Sequence, residues 1–257
     1  MATSFDKSDK PGKPDKSSRR AVADDLRRKQ SRAEKRKSRM IITVCAMVAL
    51  LIIAAAAYQP IKNWWDLRKF KGVDLASIGQ PASVCGKVTT KKATGNQDHV
   101  PEGSAVDYTD APPAFGSHYP VWEPMGRKLY TSDDRPDLGY LVHNLEHGFT
   151  ILWYDETIAG DAGAMSDLRG VAEKLKGTSN LRLKFIAAPW ESSDEDGKAF
   201  PDGKHVAMTH WSAGGAGNTN VEDQVGVWQY CSGVSGEALQ QFMLDYPYLD
   251  SPEPNAV

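Results

Sequence analysis

Histidine is missing from the first 98 residues of this 257-residue chain, and cysteine occurs only three times in all of it. No Gly-x-Ser-x-Gly is present, so a hydrolase of the nucleophile-elbow kind is not expected. The glycine-rich stretch 213–220 lacks the Lys-Ser/Thr that would hold a nucleotide's phosphates. No internal repeat is found. A net excess of charge is also missing, since the formal net charge is only -2.

That near-balance conceals a division. Of 31 basic and 33 acidic residues, fourteen and six precede Met40, which leaves seventeen and twenty-seven after it. Between the two parts, residues 40–58 carry no charge over nineteen positions. At about 1.5 Å per residue a helix of that length spans roughly 28 Å, close to the hydrocarbon thickness of a bilayer. A cleaved signal peptide fits poorly, because its basic region would be 39 residues long and its apolar region would exceed the usual ~7–15. Arg32, Lys35, Arg36, Lys37 and Arg39 crowd the amino flank, which predicts a cytoplasmic amino end. Lys62, Arg68, Lys69 and Lys71 make the contrast less than absolute, while Trp64 and Trp65 stand where an outer aromatic belt would lie.

The expected organisation is therefore a disordered basic cytoplasmic tail (1–39), a transmembrane helix (40–58), a juxtamembrane helix or linker (59–83), an extracytoplasmic domain (84–250) and a loose tail (251–257). Within the tail, residues 1–20 cannot bury enough surface to fold and residues 21–39 could form a basic helix; the tail is read as a topology signal, and nucleic acid is not expected as a partner. Truncation of that tail would test a third class, in which it reports the external state to the cytoplasm. Cys45 falls in the membrane segment. Cys85 and Cys231 remain for the external part, where a disulfide is the simplest pairing and two metal-bound thiols the alternative. Such a bridge would contribute roughly 5 kcal/mol by chain entropy.

Within the domain, residues 84–90 suggest a strand. Residues 93–136 are rich in Gly, Pro, Asp and Ser, yet hold Tyr108, Phe115, Tyr119 and Trp122, which predicts an ordered wrap. A short helix over 138–147, a strand over 149–154, a helix over 161–176 and a strand over 181–188 suggest a βαβ unit. A strand over 205–211 and a final helix over 236–245, capped by Ser235, complete an α+β (or α/β) domain with a small mixed sheet and long irregular loops.

The organising stretch is His143-Asn144-Leu145-Glu146-His147-Gly148. On a helix His143 and His147 share a face and Glu146 projects close to it. Two imidazoles and a carboxylate within one turn are what a divalent transition metal needs from a short segment. Glu146 could be a ligand, or the carboxylate that fixes an imidazole tautomer. The inverted zinc-peptidase pattern matches these residues too, but those enzymes need the helix to continue. Here Gly148 and a strand follow, so peptidase chemistry is not expected. His118, in the loop Pro112-Pro113-Ala114-Phe115-Gly116-Ser117, could be aimed at the same face by its stiff prolines. His99 is a fourth candidate, whereas His210 beside Trp211 could be packed. Such a nitrogen-rich set would suit zinc or copper.

These residues resemble the domain of unknown function 3105, a family of mainly actinobacterial membrane proteins. The resemblance spans roughly residues 84–248. It rests on Asp98-His99-Val100, Tyr108, Pro112-Pro113 with Gly116 and His118, Trp122, the stretch 143–148 running into Trp153-Tyr154, Ala188-Pro189 and Trp211. The family commonly has Ser-Gly-Pro-His where this chain has Phe-Gly-Ser-His. The resemblance implies a membrane-anchored extracytoplasmic domain and no particular activity. Two readings stand on the residues themselves. One is a metal-binding envelope domain using His143, His147 and His118, with Glu146 and His99. The other is a non-enzymatic envelope module that binds a protein or cell-wall polymer, with Tyr119 and Trp122 at its surface.

Overall fold

Helix α1 (Lys16–Arg68) opens the described part of the chain, residues 16–94 and 97–256 of a computed structural model. The chain divides into two units, Met1–Asn63 and Trp64–Val257, each taken by itself below. In the first unit, α1 exposes Met40, Ile41, Ile42, Val44, Met47, Val48 and residues 50–53. It is one helix long and apolar enough to cross a membrane. Two expectations need correction. Helix begins at Lys16, ahead of the basic helix that residues 21–39 could form, because Ala, Leu, Arg, Lys, Gln and Glu in this stretch are strong helix formers. Pro60 lies inside α1 and does not start a separate helix; a proline there removes one backbone bond from a helix that Ala54 to Ala57 carry forward. The expected disorder of residues 1–15 and the side chain of Trp64 fall outside the described residues.

The second unit is built on one mixed sheet of five strands: β1 (Thr89–Lys92), β2 (Thr150–Tyr154), β3 (Phe185–Pro189), β4 (Val206–Ser212) and β5 (Val225–Cys231). Their order is β1-β5-β4-β2-β3. Only β2 and β3 run parallel. The helices α3 (Glu156–Gly160) and α4 (Ala162–Lys174) connect these two, capped by the Asp155 and Asp161 carboxylates. This is the βαβ unit expected from the apolar spacing.

Side chains alternate along the strands, and each face has its own cover. Leu152, Tyr154, Phe185 and Met208 pack with Leu168 and Val171 of α4 and with Leu239 and Phe242 of α5 (Gly236–Asp245). Ile151, Trp153, Ile186 and Trp211 face the other way, against Leu141, Val142 and Leu145 of α2 (Leu138–Glu146) and against Phe115 and Tyr130 of the irregular wrap. Every residue of β2, β3 and β4 is buried as a result. At the free edge of β3, Ala187 exchanges backbone bonds with Lys128 and Tyr130, so the wrap also closes the sheet edge.

The expected strand over 181–188 starts late. A tight turn, Leu181–Leu183, precedes it because the Asn180 side chain accepts from the Arg182 N–H. The strand expected over 84–90 is displaced to β1, since Val84 closes a turn and Cys85 pairs with Cys231. Those two cysteines form the disulfide, with an S–S distance of 2.04 Å. Strand β5 was not anticipated at all, although Val225, Val227, Trp228 and Tyr230 are strand formers. The tail from Ser251 is not loose either. Ser251 is buried, and the Lys184 ammonium donates to the carbonyls of Pro254 (2.9 Å) and Ala256 (2.7 Å) as well as to that of His147 (2.7 Å). A buried ammonium must find acceptors, and the tail supplies two of the three.

Gly148 ends α2 with φ +83°, and a Cβ there would lie 2.3 Å from the carbonyl oxygen of Tyr248. Gly148→Ala should therefore destabilise the domain by about 2 kcal/mol or more. Urea unfolding of the detergent-solubilised full chain checks this, and an unchanged midpoint would contradict the packing described.

Candidate metal centre

Helix α2 places three of the candidate residues. Its apolar side, Leu141, Val142 and Leu145, is fully buried on the sheet, which turns His143 and Glu146 toward the irregular wrap. Asn144 fixes that wrap in place: its Oδ1 accepts from the Glu123 N–H (2.9 Å) and its Nδ2 donates to the Glu123 carbonyl (2.8 Å). This holds the half-buried Trp122 over the rings of His143 and His147, with centroids 5.2 and 4.5 Å away. Asn144 was not among the expected functional residues. Its bidentate grip on a backbone 21 residues away leaves no local sequence signal.

His99 and His118 are paired by an isolated parallel bridge within the wrap. The Val100 N–H donates to the His118 carbonyl (2.8 Å) and the His118 N–H to the Asp98 carbonyl (3.1 Å). The loop before His118 is fastened to β5, where the Trp228 indole donates to the Pro112 carbonyl (2.7 Å) and the Tyr230 hydroxyl to that of Ala111 (2.8 Å). Tyr108 props it from beneath, its hydroxyl donating to the Ser117 carbonyl at 2.7 Å. Gly116 has φ +130° and lies so close to the Tyr108 ring that a Cβ would sit 3.2 Å from it. Trp211 is wholly buried, with its ring 5.9 Å from that of His118.

The result is a cluster of His99, His118, His143 and Glu146 whose ligand atoms all lie within 4.8 Å of one another. Glu146 Oε2 is 2.9 Å from His118 Nε2, 3.8 Å from His143 Nε2 and 3.9 Å from His99 Nε2. Donors of a tetrahedral zinc with ~2.0–2.1 Å bonds stand about 3.3 Å apart, inside that range. His118, His143 and Glu146 are buried, whereas the His99 side chain is 44% exposed and opens the cluster to solvent.

The backbone sets the ring tautomers. A carbonyl can only accept, so His118 Nδ1 must donate to Gly116 O (2.8 Å) and His143 Nδ1 to Tyr119 O (2.5 Å). In the neutral rings both Nε2 atoms are then lone pairs: that of His118 faces the Glu146 carboxylate at 2.9 Å, and that of His143 can accept from His147 Nε2 at 3.0 Å, with the carboxylate 3.8 Å away. Left so, the 2.9 Å contact between His118 and Glu146 would be repulsive. A proton on His118 relieves that one contact, and a cation among the donors relieves all of them. An imidazole whose other nitrogen is pinned to a carbonyl is also the usual arrangement of a metal-bound histidine.

Burial pushes the His143 imidazole down to about 4 and the His147 imidazole down to about 3. Burial alone would raise the Glu146 carboxyl, but the His118 hydrogen bond and the surrounding imidazoles outweigh it and hold the group below its ordinary value. For His143, His147 and Glu146 this is, at neutral pH, the protonation state a metal needs: bare imidazoles and a carboxylate.

His147 does not join the first cluster. It caps α2, its Nε2 lies 3.0 Å from that of His143, and it groups instead with Glu146 and Glu253. His210 is packed as expected, bonded to the carbonyls of Phe149 and Asp250, and His205 pairs with Asp155 at 2.8 Å. Glu253 was missed because it stands in a segment read as loose.

A family model described as "Protein of unknown function (DUF3105)" matches residues 99–256, a span that holds every member of both groups. Neither the curated proteins nor the solved structures yield a match.

Because His143 and His147 bind a proton less readily folded than unfolded, the unfolded chain takes up protons first as pH falls below 6.5. The stability they confer on the metal-free protein is thus complete above about pH 6.5 and lost as pH falls toward 4 and then 3, with Glu146 adding a loss in the same direction. For His143 alone the effect is on the order of 3 kcal/mol. Thermal melts of the chelator-treated chain should show this decline, and His143→Gln should make it shallower. A melting temperature that is flat from pH 7 to 4 would contradict the burial of neutral imidazoles.

Proposed function

The chain belongs to the DUF3105 family, whose description assigns no activity, and from the pocket itself we propose that it is a membrane-anchored domain holding a divalent transition metal ion between His99, His118, His143 and Glu146. The observation that carries this reading is the pair of carbonyl-fixed rings. Gly116 O and Tyr119 O leave two Nε2 lone pairs 2.9 and 3.8 Å from a buried carboxylate oxygen. Three imidazoles and one carboxylate suit zinc or copper.

The anchor is α1, embedded in the lipid bilayer of the plasma membrane in a single pass. The Lys and Arg excess before residue 40 argues for a cytoplasmic amino end and a domain outside. The Cys85–Cys231 disulfide fits an oxidising compartment. Docking of an envelope protein or cell-wall polymer is less favoured. Tyr119, one of the two aromatics it would have used, is buried with its hydroxyl on the Ser104 carbonyl, and Trp122 is committed to the histidine rings.

Elemental analysis of the detergent-solubilised full chain should find at least one tightly held equivalent of zinc or copper, and chelation should lower the melting temperature. Loss of a group that merely orients a ligand costs 10–100-fold in affinity. Replacing a ligand, as in His118→Ala or His143→Ala, should therefore weaken binding by more than ~100-fold. A chain that is metal-free, binds neither ion and melts unchanged would defeat the proposal. Protease added to intact cells should cleave the domain and spare an amino-terminal tag, and the reverse pattern would overturn the orientation.

A further inference from the structure

A single ion in the first cluster uses only one face of Glu146. Its Oε2 is the atom that meets His118, His143 and His99, while Oε1 is buried with no hydrogen-bond partner. A buried carboxylate oxygen left bare is costly enough to require an explanation. Near that carboxylate stands His147, itself buried, with an unpartnered Nδ1 and with its Nε2 3.0 Å from that of His143. Its Nε2 lies 3.5 Å from Glu253 Oε2. Glu146, His147 and Glu253 offer ligand atoms that all fall within 4.8 Å of one another.

Glu253 is brought there by backbone bonds and one buried cation. Its N–H donates to the Glu146 carbonyl at 3.0 Å, and the Lys184 ammonium holds the carbonyls of Pro254 and Ala256 on either side of the same turn as His147 O. The last residues of the chain are thus fixed against the end of α2, with one carboxylate delivered beside an imidazole.

From this arrangement, and resting on the metal reading above, we infer that the centre is binuclear: Glu146 bridges two cations, the first held with His99, His118 and His143, the second with His147 and Glu253. Two ions that share a carboxylate stand roughly 3.5–4 Å apart. The second set, one imidazole and two carboxylates, is richer in oxygen than the first, so it suits a harder divalent ion or a more weakly held zinc. Its exposed member, Glu253 (47% exposed), faces solvent as His99 does for the first, so each ion has its own entry.

The test is stoichiometry. The full chain in detergent, stripped with chelator, is titrated with zinc(II) alone and in parallel with copper(II) alone. Two equivalents should bind. Glu253→Gln, a change at a half-exposed side chain, should leave the first equivalent within about threefold of its wild-type affinity and weaken the second at least tenfold. A wild-type chain that takes one equivalent, or a variant that still takes both unchanged, overturns the second site and leaves the mononuclear reading standing. Failure to bind either metal overturns both. Copper(II) at two equivalents should give an electron paramagnetic resonance spectrum altered by the neighbouring spin. A spectrum that is the sum of two isolated ions would refute the shared carboxylate.

Discussion

One contact governs the arrangement of the second unit: the Glu146 carboxylate, wholly buried, set 2.9 Å from the Nε2 of an equally buried His118. A charge taken out of water costs several kcal/mol unless it is met by an opposite charge and hydrogen bonds. Here the protein gives the carboxylate no hydrogen-bond donor for Oε1, and it fixes the Nδ1 donors of His118 and His143 on the Gly116 and Tyr119 carbonyls, away from it. Both choices raise the demand for positive charge at one spot. A structural salt bridge would be built the other way, with N–H groups aimed inward. Geometry that keeps donors out and lone pairs in favours a cation over a second amino acid.

The sheet exists, in this light, to hold α2 still. With helices on one face and α2 plus the wrap on the other, β2, β3 and β4 are buried on both sides, and a shift of α2 would have to break the packing of Leu141, Val142 and Leu145. The wrap carries no helix or regular strand among its described residues, yet it is tied at its middle by Trp228 and Tyr230, at the α2 end by Asn144 and at the sheet edge by Ala187. Each tie satisfies backbone groups that would otherwise be buried bare. A segment fixed at so many points can present His99 and His118 as firmly as a helix would.

How much of this was legible beforehand follows from the range of the forces involved. The spacing of His143, Glu146 and His147, the Gly148 stop, the Ser235 cap and the amphipathic spacing of Met165, Leu168 and Val171 are decided within a few residues, and all were readable. His118 and His99 were readable as candidates because prolines and a family resemblance marked their loop, but the bridge that pairs them is a tertiary fact. Strand β5 hid behind Gly226, which weakens the strand pattern locally. The rings of Phe115 and Trp228 occupy the space its side chain would fill, within 2.4 and 2.5 Å of a Cβ placed there. Lys184 and Glu253 were invisible for the same reason. A lysine in a strand-like run and a tail some 70 residues later look unrelated until the fold sets the Lys184 ammonium on the carbonyls of Pro254 and Ala256, which flank Glu253's turn.

The division of labour between His143 and His147 shows why helical spacing alone understates such a site. Four residues apart on a continuing helix, both rings would be expected to serve one ion. His147 keeps the helical backbone bond to His143 O at 3.1 Å and its Nε2 lies 3.0 Å from that of His143, yet it falls outside the group around His118. The helix end that argued against a peptidase thus has a positive consequence. It places the last imidazole beside Glu253 as well as Glu146, so one glutamate belongs to both groups of donors. The left-handed turn at Gly148 that permits this also brings Tyr248 and Ser251 against the helix end. The stop signal, the anchored tail and the two-sided carboxylate are therefore parts of one constraint: α2 must end where it does.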